Sequence, residues 1–145
     1  MNTAKDLTKE PPRSPRTLLG GYSILARMAD KGRATLAGTP GEYHFACPLD
    51  QMVFDLKGVQ AGDVEKVLAS GANDEQIVNW FNEHGTKKTA EEIKGWSDTV
   101  EAYRPYEDPE RKDWFASECA KLGLNPETST LFDYLDADDS VTFRK

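Results

Sequence analysis

The chain has 145 residues, 38% of them apolar and 30% charged, with a formal net charge of -7. That length suits one domain with one core, and no apolar run approaches the roughly 20 residues of a membrane helix, so no membrane contact is expected. The acidic total excludes sequence-independent nucleic-acid binding, which needs a broad basic face.

In chain order, residues 1–13 read as an extended arm, because Pro11 and Pro12 disfavour helix. Ser14-Pro15 then reads as a helix start, with Leu18, Tyr22, Leu25 and Ala29 on one face. Gly20-Gly21 interrupts that helix and Gly32 is its expected stop. Residues 36–48 are rich in Gly and Pro and read as a loop or a short strand around Glu42 to Phe45.

Short, well-punctuated helices follow. One turn from Leu49 ends at Gly58, and a segment from Asp63 stops at Gly71. Asn73 with Gln76, and Thr89 with Glu92, are capping-box pairs that open the next two. Asp108-Pro109 predicts another helix, with Trp114, Phe115, Cys119 and Leu122 inward, and a last short one holds Leu131, Phe132 and Leu135. The tail at Val141 to Phe143 is expected to pair with Glu42 to Phe45. The fold class is therefore mostly α: an irregular bundle of about six short helices in a single domain over residues 1–145, with one minor β-hairpin and Trp80, Trp96 and Trp114 in the core.

Charge is uneven. Residues 1–40 hold seven Lys or Arg against three Asp or Glu, a balance of +4, and the remainder balances at -11. The arm is thus expected to pack on an acidic body. The acidic run Asp136 to Asp139 reads as a solvated helix end, since it lacks the Gly and the later Glu of a calcium loop. Cys47 and Cys119 are far apart, and no signal-like stretch opens the chain, so a reducing, cytoplasmic setting is expected.

Reactive side chains concentrate at Glu42-Tyr43-His44-Phe45-Ala46-Cys47-Pro48-Leu49-Asp50, where His44, Cys47 and Asp50 recur every third residue. A thiol beside an imidazole suits nucleophile and base, whereas a small buried thiol and a hydrogen-bonded loop histidine are the plainer reading. Arg13, Arg16, Arg27, Lys31 and Arg33 form a basic group fit either for an anion or for ion pairs with the acidic helices, and the second is the plainer. No metal site is expected from two His and two Cys so scattered. No cofactor is expected, as Gly20-Gly21 lacks the spacing of a dinucleotide or phosphate loop.

Asp6-Leu7-Thr8, Pro12-Arg13-Ser14-Pro15-Arg16, Leu19-Gly20-Gly21-Tyr22, Arg27 with Asp30-Lys31 and Arg33, Gly41-Glu42-Tyr43-His44 with Leu49-Asp50, and Phe132-Asp133 with Leu135-Asp136 carry a resemblance that spans nearly the whole chain. It resembles a bacterial family recorded only as a domain of unknown function. The resemblance implies that the arm belongs to the domain, and it brings no activity or site residues. From the residues, the first expectation is a soluble helical binding module whose N-terminal third takes a small anionic ligand, or which meets a protein partner. Its pocket would use Tyr22, Arg27, Arg33 and Tyr43. The alternative is a small enzyme using Cys47 and His44 on an anionic small molecule.

Overall fold

The computed structural model describes residues 4–143. Among these lie seven α-helices: α1 (Leu25–Ala37), α2 (Pro48–Lys57), α3 (Ala61–Ala69), α4 (Asp74–Glu83), α5 (Ala90–Glu101), α6 (Lys112–Leu122) and α7 (Leu131–Thr142), with one 3-10 turn at Pro105–Glu107. The fold is mostly helical, without a sheet among the described residues. An isolated antiparallel bridge joins Leu19 and Tyr22.

The expected hairpin is absent. Val141 lies in the last turn of α7, and Tyr43 sits in a turn with its N–H bonded to Pro40 O at 3.0 Å. The helix wins because Thr130 and Asp133 form a capping box that starts it firmly. It then runs on through the acidic stretch, whose Asp139 is buried rather than solvated.

α1 is the axis of the molecule. Residues 25–32 are all buried, as is Ala34, and the helix packs against α2 and α3. Its start differs from expectation: Ser14-Pro15 opens a looped turn, not a helix. Gly20 (φ 61°), Gly21 (φ 88°) and Ile24 (φ 73°) all adopt left-handed backbone, which a right-handed helix cannot contain. The chain folds back on itself there, with Ile24 N–H bonded to Pro15 O at 2.9 Å. Gly32 is not a stop either. It lies mid-helix because a Cβ there would collide with Leu68 Cδ1 of α3 and crowd the Phe45 ring, and the helix ends at Gly38 in the left-handed conformation.

The core around α1 includes Tyr22, Phe54, Phe81 and Phe132, all fully buried. Tyr22, Phe81, Phe54 and Phe45 form a run of rings with centroids 6.1, 6.5 and 6.1 Å apart, spacings at which aromatic pairs attract. A smaller cluster joins α6 to α7 through Phe115 and Tyr134, at 5.9 Å. Trp80 and Trp96 are half-buried against the main core. Trp114 corrects the expectation of three core tryptophans: it is 45% exposed and lies edge-on to Tyr134. The next helix likewise begins later than Asp108-Pro109 suggests, at Lys112, because residues 108–111 first make a turn in which Asp108 O accepts from Arg111 N–H at 2.9 Å.

The arm lies on this body. Leu7 is buried and donates its N–H to Thr39 O at 2.9 Å. Arg13 reaches between α1 and α4, bonding Asp30 through Nε at 3.1 Å and Asp74 through Nη1 at 2.9 Å. Arg16 pairs with Asp133 and with Asp136 of α7.

Candidate functional site

A cleft of about 630 Å³ opens where the arm, α1, the loop before α2, and the end of α7 meet. Arg27 and Lys31 lie four residues apart on α1 and so share one face. Both line the cleft, although each side chain is almost fully buried. Tyr43, His44 and Cys47 come from the loop, and Asp138 and Phe143 from α7.

Cys47 occupies the N-cap of α2, with Pro48 in the first turn, and its side chain makes no capping bond. Its neighbour is Lys31, whose Nζ donates to Sγ at 3.1 Å. The same Nζ lies 3.0 Å from Asp50 Oδ1. That contact is an ion pair by distance, outside good hydrogen-bond angles, so Oδ1 is left without a hydrogen bond. Asp50 Oδ2 accepts from Ala46 N at 2.9 Å. Burial pushes the Asp50 carboxyl up, and the Lys31 charge and the Ala46 N–H pull it back. Ala46 is held at φ 61°, a left-handed conformation costing roughly 1–2 kcal/mol in a non-glycine residue. The carboxylate that fixes this strained residue also holds Lys31, so one side chain sets both the thiol's backbone and its ammonium neighbour.

The opposite side is held by Asp139. Arg27 Nη1 and Nη2 reach its two oxygens at 2.7 and 3.3 Å, and Tyr43 OH donates to Oδ1 at 2.7 Å. The Arg27 guanidinium lies 5.5 Å from the centroid of the Tyr43 ring, which stacks on Phe143 at 6.4 Å. Burial, then the bond to Asp139, raises the Tyr43 phenol well above its ordinary range. Asp138 is also raised, by burial first and then by the Asp139 charge. The two cations of the cleft are thus matched by Asp50 and Asp139, and Glu42 and Asp138 stand in excess.

Of the six residues singled out from the sequence, the cleft gathers Arg27, Tyr43, His44 and Cys47. Two stand elsewhere. Tyr22 is a core residue whose OH donates to Asn82 Oδ1 at 2.9 Å. Arg33 pairs with Asp74 at 2.9 Å and donates to Ala72 O at 3.0 Å, on a separate shallow recess. His44 is exposed on the rim, and among the described residues the side chain bonded to Cys47 is Lys31. Sequence reasoning placed Lys31 among the basic residues and Asp50 in the reactive trio without joining them. The four-residue step from Arg27 to Lys31 was the available signal. Asp138 and Asp139 were missed because their segment reads as a solvated end, whereas Phe143, expected beside residues 42–45 in a strand, meets Tyr43 by ring stacking from the end of α7 instead.

Among the described residues no group of three or more His, Cys, Asp or Glu side chains is arranged to hold a metal ion, and no helix is long and apolar enough to cross a membrane. The arrangement is that of a helical domain with a cleft lined by a thiol, an ammonium and a guanidinium, each cation paired with a carboxylate. The chain belongs to the family described as a domain of unknown function (DUF5069), which matches residues 9–141. No curated protein matches it.

Proposed function

We propose that this chain is a small enzyme that takes a small molecule into the cleft and attacks it with Cys47. The observation that carries the reading is the Cys47 thiol at an uncapped helix start, 3.1 Å from a buried ammonium and facing a cavity. A neighbouring cation and a helix N-terminus are the surroundings that favour reactive thiolates, and the cavity falls within the usual size of small-molecule sites, roughly 300–1,000 Å³. A reducing, cytoplasmic setting suits this chemistry, because both cysteines are free. His44, the base expected from the sequence, fits better as a rim residue that meets the ligand.

The test is the rate of Cys47 alkylation by iodoacetamide, read by peptide mass, in the native chain and in the chain unfolded by urea. An activated thiol reacts about tenfold faster in the native state. Reaction slower than in the unfolded chain refutes the reading.

A second reading, a module that only binds a small anion, has one observation in its favour: Arg27 and Lys31 line the same cleft. An entering anion must displace Asp139 from Arg27 and meets an excess of carboxylates, so an uncharged or cationic ligand fits more easily. Phosphate or a small carboxylate that raises the melting temperature of the parent, with Cys47 inert, favours this second reading.

A further inference from the structure

Resting on the reading of Cys47 as a nucleophile, we infer that the site handles acyl groups, with Lys31 as the proton carrier and Asp50 as its positioning residue. Nζ lies 3.1 Å from Sγ and 3.0 Å from the Asp50 carboxylate, a nucleophile beside a proton-carrying group that a third side chain holds. Lys31 is 4% exposed and Asp50 fully buried, so the pair is shielded from bulk water on all sides except the cleft. The first turn of α2 supplies the remaining part. Pro48 has no N–H, and the next two amides, of Leu49 and Asp50, have no acceptor within the helix. These donors lie at the same helix end as Sγ, and Leu49 itself lines the cleft. That is where an oxyanion forms when the sulfur attacks a carbonyl.

The step balances without any further reactant. The Cys47 thiolate forms a bond to the carbonyl carbon, and the C=O pair moves to oxygen beside the α2 amides. As the pair returns, the bond to the leaving group breaks, and the leaving group takes a proton from the Lys31 ammonium. Water then attacks the thioester while the neutral Lys31 amine takes its proton, and the sulfur departs with its electron pair beside the reformed ammonium. The substrate class is a small ester, thioester or amide, uncharged or cationic because the cleft carries excess carboxylate.

The probe is phenyl acetate, a neutral ester whose leaving group departs as phenol with the Lys31 proton, with phenol release followed by absorbance and the protein followed by intact and peptide mass. The expected result is a burst equal to the protein present, an acetyl group on Cys47, and slower continued turnover; Cys47→Ala abolishes the burst. Lys31→Arg keeps the positive charge but cannot give up its proton, so it still acquires the acetyl group while steady turnover falls by about a hundredfold. Turnover of Lys31→Arg equal to the parent overturns the relay. A parent whose Cys47 alkylates rapidly with iodoacetamide yet never acquires acetyl overturns the acyl class, leaving the nucleophile reading intact. Should Lys31→Arg fail to melt cooperatively, the parent alone decides. Its acetyl-Cys47 must hydrolyse faster when folded than when unfolded in urea, and equal rates overturn the proposal.

Discussion

Replacing Arg13 by Ala tests whether the arm is clasped by buried charge or merely rests on the surface. The Arg13 backbone N–H reaches Asp30 Oδ2 at 2.8 Å, its Nε the same oxygen at 3.1 Å, and its Nη2 reaches Oδ1 at 3.1 Å. The Asp30 side chain is 6% exposed and that of Arg13 28%. Truncation leaves Asp30 with a single backbone donor and a buried negative charge. Breaking a buried pair costs about 3–5 kcal/mol. Because Arg13 is partly wet and one N–H remains, about 2–4 kcal/mol applies here, or a melting shift of roughly 6–12 °C at about 3 °C per kcal/mol for a chain of this size. Arg16→Ala is the internal control, since its carboxylates are all more than a third exposed and such pairs contribute about 1 kcal/mol or less each. Urea unfolding followed by helical circular dichroism measures both. Asp30→Asn in the Arg13→Ala background should recover part of the loss, because it removes the orphaned charge. An Arg13→Ala loss no larger than that of Arg16→Ala refutes the clasp.

Two further outcomes follow from the same geometry. Hydrogen bonds from Arg13, opposed by burial and aided by Arg33, hold the Asp74 carboxyl below its ordinary 3.8. Its stabilising contribution is therefore complete above that value and is lost as pH falls through the folded-state value, so Asp74→Asn should flatten the acid limb of melting temperature against pH while lowering the neutral plateau; an unchanged acid limb counts against it. Trp114→Phe should remove most of the acrylamide-accessible fluorescence and change stability by less than about 1 kcal/mol. Quenching that persists undiminished in this variant would place the accessible tryptophan at Trp80 or Trp96 instead.

Where helices begin through side-chain chemistry, the sequence is legible. Asn73 with Gln76 and Thr89 with Glu92 close both bonds of a capping box, and these starts are local events decided by four residues. The third box escapes that reading because Asp133, one methylene shorter than Glu, takes the reciprocal role. The start of α1 is not legible for a different reason. Apolar steps of four and three residues run through Gly20-Gly21 as though helical, but the left-handed backbone there is imposed by close packing, with a Cβ at Gly20 colliding with Val78. The site divides the same way. Tyr43, His44, Cys47 and Asp50 are neighbours in sequence and stood out together, whereas Asp139 meets Arg27 and Tyr43 only after the whole chain has folded.

The buried polar face of α1 explains both the fold's specificity and the placing of the cleft. Arg27, Asp30, Lys31 and Arg33 are met by Asp139 of α7, Arg13 of the arm, Asp50 of α2 and Asp74 of α4. Arg27 with Asp139 and Lys31 with Asp50 are buried on both sides; such pairs return little net stability after desolvation, but a missing mate is strongly penalised. Each segment therefore has one docking position on α1 at which no charge is stranded. Three of these four contacts end there, with their donors and acceptors engaged by each other, by backbone, or by Tyr43. Lys31 differs: its ammonium is shared between Asp50 Oδ1, which lacks a well-aligned bond, and a sulfur that faces open space. A purely structural ion pair has no use for the thiol or for the strained Ala46 that presents it. Asp50→Asn separates the two roles, because it removes the charge that orients Lys31 while keeping an acceptor for the Ala46 N–H. In a structural pair it only lowers the melting temperature; in a working relay it also slows Cys47 alkylation in the protein that remains folded.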